Sequence, residues 1–162
     1  MDYIMKFALP LFLAASLLIS PAMAQSDPET IAKAAECQST YAVQAKLFMA
    51  TATSLLSISA GQGSNDESIG SLATSALEAA QVSTQQAIAI LAFAKLSGFP
   101  ENFTKTAATM ASQTLNRAIG ATFGLGGEVE DNFKLLASIH AKGAECDDWY
   151  EKTVVPVLKK SK

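Results

Sequence analysis

The sequence predicts an all-α protein, an up-down-up-down four-helix bundle whose first and fourth helices are joined by a disulfide. Three observations lead to this fold class. Apolar residues recur three and four positions apart through four long segments. Glycine-containing breaks separate these segments, and no alternating apolar and polar run is long enough for a convincing strand.

Residues 1–24 have the pattern of a cleaved signal peptide. Lys6 precedes an apolar stretch at 7–19, and an Ala-x-Ala cleavage site ends at Ala24. The apolar stretch is short of the roughly 20 residues that span a bilayer, so we expect no transmembrane anchor after cleavage. We expect export to a bacterial periplasm or to the medium, with a mature chain that begins at Gln25.

Residues 25–162 have the usual size of a single domain. The full chain has a net charge of −3, with acidic and basic residues interspersed. A nucleic-acid partner would need a basic face, so the charge argues against one. Translation could start at Met1 or Met5, and the alanine-rich helix faces could also pack against a second copy of the chain.

Cys37 and Cys146 are the only cysteines. In an exported chain, two cysteines favour one disulfide. Two buried thiols or two metal ligands are the alternatives, but the spacing typical of a metal site is absent. A bridge closing a loop of this length would contribute about 4 to 5 kcal/mol to the free energy of unfolding.

The first helix is predicted over 29–59, with Asp27 as its cap and Pro28 in its first turn. A glycine-containing turn at 61–65 ends it. The predicted buried stripe has a spacing of three and four residues: Cys37, Tyr41, Ala45, Phe48, Ala52, Leu55 and Ile58.

The second helix is predicted from about Asp66 to Ser97 and is rich in alanine, which lets neighbouring helices approach closely. Gly98 suits the left-handed position after a helix, and Pro100 follows it. Its inward candidates are Ile69, Leu72, Ala76, Ala80, Ala87, Ile90 and Leu91.

The third helix is predicted from Glu101 or Asn102 to about Thr122, and glycines at 124–127 end it. Its inward candidates are Phe103, Ala107, Met110, Ala111, Leu115, Ala118 and Ile119.

The fourth helix should begin between 128 and 132 and run to about Thr153, with Pro156 limiting its regular end. Its inward candidates are Leu136, Ile139, Gly143, Cys146 and Tyr150. In an up-down bundle the first and fourth helices are antiparallel neighbours. Cys37 lies early in the first helix and Cys146 late in the fourth, so the topology also predicts the disulfide.

His140 and Met110 are weak ligand candidates. An exported four-helix bundle with a methionine on its first helix and a histidine on its last is similar in outline to the four-helix b-type cytochromes, in which such a pair holds haem iron. Here Met49 is six residues from the level of His140, about 9 Å along the helix axis. Met110 on the third helix remains available as a ligand, but the sequence has no Cys-x-x-Cys-His motif for covalent haem, so we expect no cofactor.

Trp149 and Tyr150 follow Cys146 closely. Packing around the bridge is one role for their rings, and an exposed interaction surface is the other. Glu36, Glu145, Asp147 and Asp148 could form an acidic patch, which more often is a solvated helix face than a cation site.

Three functional hypotheses follow. The first is a non-catalytic exported bundle that acts through protein contacts or envelope maintenance, because one histidine and two oxidised cysteines offer little for nucleophilic catalysis. The second is a carrier of a small apolar ligand, haem or metal in the bundle core. The third is an acid-responsive periplasmic chaperone.

Mass spectrometry of the full-length protein expressed in a Gram-negative bacterium and recovered from the periplasm tests cleavage and oxidation together. We expect a chain that begins at Gln25 and is two hydrogens lighter than its reduced form. A chain that keeps residues 1–24 would contradict the predicted cleavage, and a mass unchanged by reduction would contradict the bridge.

Overall fold

The computed structural model describes residues 26–62, 67–122 and 129–161. These residues form α1 (Pro28–Gln62), α2 (Glu67–Leu96), α3 (Phe103–Thr122) and α4 (Val129–Trp149), followed by a π-helical turn (Tyr150–Val154) and α5 (Val155–Lys160). The described ranges contain no strand, and the all-α prediction is confirmed. The predicted signal peptide and the turns centred on 63–66 and 123–128 lie outside the described residues.

The start of α1 has the predicted cap. The Asp27 carboxylate accepts hydrogen bonds from the Thr30 backbone N–H at 2.8 Å and from the Thr30 hydroxyl at 2.7 Å. Pro28 is the first helical residue, where its missing N–H costs no intrahelical bond. These hydrogen bonds to the ionised carboxylate lower the pKa of Asp27.

The end of α2 also follows the sequence prediction. Gly98 has a φ of 67°, the left-handed conformation that a side chain disfavours. The N–H of Phe99 donates to the carbonyl of Ala94 at 3.0 Å, and that of Gly98 donates to the carbonyl of Lys95 at 3.4 Å. This hydrogen-bond pair is a Schellman motif, which turns the chain from α2 towards α3.

The regular α-helix α4 ends at Trp149, a few residues before the predicted end near Thr153, and helical structure then continues past Pro156 to Lys160. Proline has no N–H to donate and its ring collides with the preceding turn of a regular α-helix. A π-helical turn lies directly before it, in which the N–H of Val155 donates to the carbonyl of Tyr150. The wider turn lets helical structure continue through Pro156.

The four long helices alternate in direction, as predicted. The Ser26 hydroxyl donates to the carbonyl of Ser97 at 3.2 Å, which places the start of α1 beside the end of α2. Cys37 and Cys146 form a disulfide with their Cα atoms 5.3 Å apart, which joins α1 to α4 and confirms the predicted pairing. We call this the disulfide end of the bundle, and the opposite one the distal end.

The helices are not equivalent, because α1 is central. It packs against α2 along much of its length and also against α3 and α4. In the described ranges α2 and α3 make almost no close backbone approach beyond their connecting turn. The arrangement is therefore a bundle built around one helix, rather than a regular square.

The core is concentrated at the disulfide end. Its main cluster combines side chains from the four long helices and the π-helical turn: Ala34, Ala35, Cys37, Tyr41, Ala87, Ile90, Phe93, Ala94, Phe103, Ala107, Cys146 and Val154. A smaller cluster of Val43, Ala118 and Ile139 lies farther along α1. Alanines make up a large part of both, so the buried apolar area per residue is modest.

Some large side chains predicted to face inward are exposed. Leu72 is 59% exposed, Ile58 46% and Ile119 39%. All three lie towards the distal end, where α2 has only α1 as a close neighbour. The inward pattern is present in the sequence, but no described helix closes over these positions.

None of the described helices combines the length and the apolarity needed to cross a bilayer.

Loss of the disulfide should strongly destabilise the fold. Replacing Cys146 with serine should lower the free energy of unfolding by about 4 kcal/mol, because the bridge restricts the unfolded chain. Urea unfolding of the oxidised wild type, Cys37→Ser, Cys146→Ser and the double variant measures this. We expect equal losses in all three variants, and an unchanged stability would count against the bridge.

Gly143 allows close packing of α4 on α1. It is buried, and a Cβ added there would overlap the side-chain amide of Gln44, which donates to the carbonyl of Ile139 at 3.5 Å. Gly70 on α2 is a matched control, because an added Cβ there has nothing within 4 Å.

Replacing Gly70 with alanine should stabilise the protein by about 0.5 to 1 kcal/mol, the usual gain in helix propensity. Gly143→Ala should gain less or lose stability, because Gln44 must move. In a Gln44→Ala background the two substitutions should have similar effects. Urea unfolding measures all of these, and equal gains in the wild-type background would contradict the contact.

Candidate functional site

Charged side chains join α1 to α4 beside the disulfide. The Glu36 carboxylate accepts from the Lys142 ammonium at 2.8 Å and from the Lys33 ammonium at 3.2 Å. Lys33 also lies 3.9 Å from the Glu145 carboxylate. The hydrogen bond from Lys142, followed by that from Lys33, lowers the pKa of Glu36.

Asp147 connects three helices. Its Oδ1 accepts from the Tyr41 hydroxyl at 2.8 Å and from the Gln86 amide at 3.1 Å. Burial raises the pKa of Tyr41 far above its ordinary value, and the hydrogen bond to the Asp147 carboxylate adds to the effect. Tyr41 therefore stays a hydrogen-bond donor at physiological pH, which suits a structural role.

The acidic residues around Cys146 are thus engaged with the protein itself. Asp148 pairs with Lys152 at 2.7 Å, one helical turn away. In the ranges 26–62, 67–122 and 129–161, no three histidine, cysteine or acidic side chains are grouped so that they could hold a metal ion. The acidic residues around the disulfide therefore serve to hold neighbouring helices together.

Trp149 and Tyr150 are half-buried and pack against the main core cluster. The Trp149 ring is edge-on to Phe93 with centroids 6.0 Å apart, and the Tyr150 ring is edge-on to Tyr41 at 6.2 Å. Their contacts match the packing role around the bridge. An interaction surface at these two residues stays a prediction.

The two weak ligand candidates are not brought together. His140 is exposed and lines a cavity of 430 Å³ bounded by α1, α2 and α4. Met110 lines a different cavity of 460 Å³ bounded by α1, α3 and α4, together with Glu36, Arg117 and Lys142. His140 and Met110 therefore do not share a site.

A largely apolar cavity lies towards the distal end, and we call it the distal cavity. It has a volume of 480 Å³ and lies between α1, α3 and α4. Its lining residues are Lys46, Leu47, Ala50, Thr51, Ser54, Leu55, Leu115, Ile119 and Leu136. Its size falls within the range typical of small-molecule sites, which are concave and mostly apolar.

Sequence reasoning found only part of this cavity. Leu55, Leu115 and Leu136 belong to the predicted inward stripes. Leu47 and Ala50 lie on another side of α1, which the single-stripe pattern leaves out. The missed signal is that α1 carries apolar residues on more than one face, as a central helix must.

The distal cavity also differs in charge from the others. Lys46 is the only charged residue among its described lining residues. The Met110 cavity combines Glu36 with Arg117 and Lys142, and the His140 cavity includes Asp147 and Glu151. The distal cavity therefore joins an apolar wall to one positive charge.

Comparisons of the chain with protein-family models, with curated proteins and with solved structures found no match.

The Glu36 network should make stability depend on pH. A carboxylate whose pKa is lowered by folding stabilises the protein above its unfolded value of about 4.5, and the contribution is lost as the pH falls through the lowered pKa. At pH 7, Glu36→Gln should lower the free energy of unfolding by about 0.5 to 1 kcal/mol, the size of a partly exposed pair.

Urea unfolding at pH 7 and pH 3 measures this dependence. The difference between wild type and Glu36→Gln should be smaller at pH 3 than at pH 7, because protonation of Glu36 removes the charge that distinguishes the two side chains. Glu78→Gln, an exposed change of the same charge on α2, should show a smaller difference at pH 7. A difference that is the same at both pH values would contradict the network.

Proposed function

We propose that this chain is an exported, non-catalytic binding protein that carries a small apolar ligand in its distal cavity. The observation that supports this most directly is the 480 Å³ cavity, with leucine, isoleucine and alanine over most of its wall. Cavities of this size and lining bind small molecules mainly by removing apolar surface from water.

The division of the bundle into two ends supports the same proposal. At the disulfide end, a covalent bond, aromatic contacts and ionic contacts hold α1 and α4 together. Several of the exposed large apolar side chains, among them Ile58, Leu72 and Ile119, lie at the distal end. A protein with this division combines a rigid support with an end whose apolar surface remains available to a ligand.

Export is supported by the disulfide, since such bonds persist mainly in oxidising compartments. A non-catalytic role is supported by the polar contacts at the disulfide end. On α1, Glu36 and Tyr41 pair with Lys142 and Asp147 of α4, and both cysteines are oxidised. These groups are therefore already engaged in contacts that hold the fold together.

A second candidate is a protein that acts through contacts with another protein or in envelope maintenance. It is favoured by the exposed apolar side chains of α2 that do not line the distal cavity. Ile88 is 60% exposed, and Leu72 and Leu77 are exposed as well. Exposed apolar side chains of this kind contribute to protein interfaces when they form a continuous patch.

Binding of an uncharged fluorescent probe, N-phenyl-1-naphthylamine, tests the carrier proposal. We expect saturable binding to the oxidised wild type, because the probe becomes brighter when it leaves water for an apolar site. Ala50→Phe should weaken binding by about ten-fold, equivalent to about 1.4 kcal/mol, because the added ring occupies the distal cavity.

Ala108→Phe is the matched control. Ala108 is exposed on α3 and does not line the distal cavity, so the same added ring should leave probe binding unchanged. Urea unfolding of both variants verifies that each is folded. Absence of saturable binding to the wild type, or equal weakening by both substitutions, would refute the carrier proposal.

A further inference from the structure

We propose that the ligand of the distal cavity is a single-chain anionic amphiphile of the fatty-acid type, whose carboxylate pairs with Lys46. This inference rests on the proposed carrier function and adds the chemical class of the ligand. The argument depends on the shape of the cavity along α1, on the polar groups in its wall and on the state of Lys46.

The α1 wall of the distal cavity is elongated. It extends from Lys46 to Leu55, nine residues or about 13.5 Å along the helix axis. Leu115 and Ile119 on α3 face this wall one helical turn apart, and Leu136 on α4 completes it. An elongated apolar wall fits an extended hydrocarbon chain better than a compact ring system.

The uncharged polar groups of the wall offer little to a polar ligand. The Thr51 hydroxyl donates to the carbonyl of Leu47 at 3.0 Å, within its own helix. Ser54 carries the one other hydroxyl among the described lining residues. A ligand lying along this wall therefore meets mainly aliphatic carbon, which selects against sugars, nucleotides and peptides with many polar groups.

Lys46 supplies the charge. It lines the cavity at the end of the α1 wall nearest the disulfide, and it makes no hydrogen bond or ion pair within the part of the chain that the structure describes. Lys33, Lys142 and Lys152, by contrast, are paired with acidic side chains. An anionic group beside Lys46 would gain a charge-assisted hydrogen bond, and none of the described lining residues is acidic.

The geometry thus defines the two parts of the ligand separately. The aliphatic wall binds the hydrocarbon chain, which supplies most of the affinity. Lys46 is exposed, so its pairing with the anionic group contributes selectivity more than affinity. A cationic amphiphile of the same length would meet repulsion at the same position.

Displacement of N-phenyl-1-naphthylamine by decanoate and by decan-1-ol tests the assignment, at concentrations below those at which either ligand aggregates. The oxidised wild type should bind both. Lys46→Gln should weaken decanoate binding about two- to five-fold, as expected for an exposed ion pair, and leave decan-1-ol unchanged. Lys46→Arg should restore most of the decanoate affinity, and added salt should reduce the difference between wild type and Lys46→Gln.

Lys105→Gln is the matched control, since Lys105 is exposed on α3 outside the distal cavity and carries the same charge. It should leave the affinity for both ligands unchanged. Equal weakening of decanoate binding by Lys46→Gln and Lys105→Gln, or an equal effect of Lys46→Gln on acid and alcohol, would overturn the assignment to Lys46. Binding of decan-1-ol without decanoate would overturn the anionic ligand and leave the carrier proposal standing. Failure of both ligands to displace the probe would count against the carrier proposal as well.

Discussion

The bond between Cys37 and Cys146 fixes α1 against the end of α4, and the remaining helices are arranged around that contact. Tyr41 lies one turn beyond Cys37 and forms the middle of the aromatic and polar contacts at this end. In addition, α1 packs against α2 along much of its length. Together with α3 and α4, α1 takes part in both core clusters.

The polar residues of the disulfide end depend on this arrangement. Glu36 and Asp147 lie on helices that the disulfide has already brought together, so their hydrogen bonds form with less loss of chain entropy. These directional contacts supplement a core in which alanine supplies limited apolar area. The distal cavity lies where neither the disulfide nor these polar contacts reach.

Periodicity and cysteine placement predicted most of the fold. Asp27 caps a helix and Gly98 forms a left-handed turn. Both features depend on neighbouring residues alone, so they can be predicted without knowing which distant residues are in contact. The π-helical turn before Pro156 was missed because a proline in sequence shows where a regular helix is strained, and not how the chain relieves the strain. The exposed position of Leu72 depends on which helix lies opposite, and periodicity does not contain that information.

The candidate site was only partly predicted for the same reason, because periodicity does not show which helices pack together. A helix with one buried face has one stripe, so the second apolar face of α1 at Leu47 and Ala50 was overlooked. Recognising α1 as central would have required knowing that α3 packs against it. The pairing of the cysteines, in contrast, followed from compartment chemistry and topology together, and neither depends on details of packing.

The uneven distribution of the core has a consequence for how the bundle opens. Local unfolding begins where few buried contacts and no covalent bonds hold the chain, and the distal ends of α1 and α2 meet that description. The segment around Cys37 is held by the disulfide and by the packed side chains of the main core cluster, so its amide hydrogens should exchange last. The molecule thus has an ordered hierarchy of stability along one axis, in which its least protected part also carries the distal cavity.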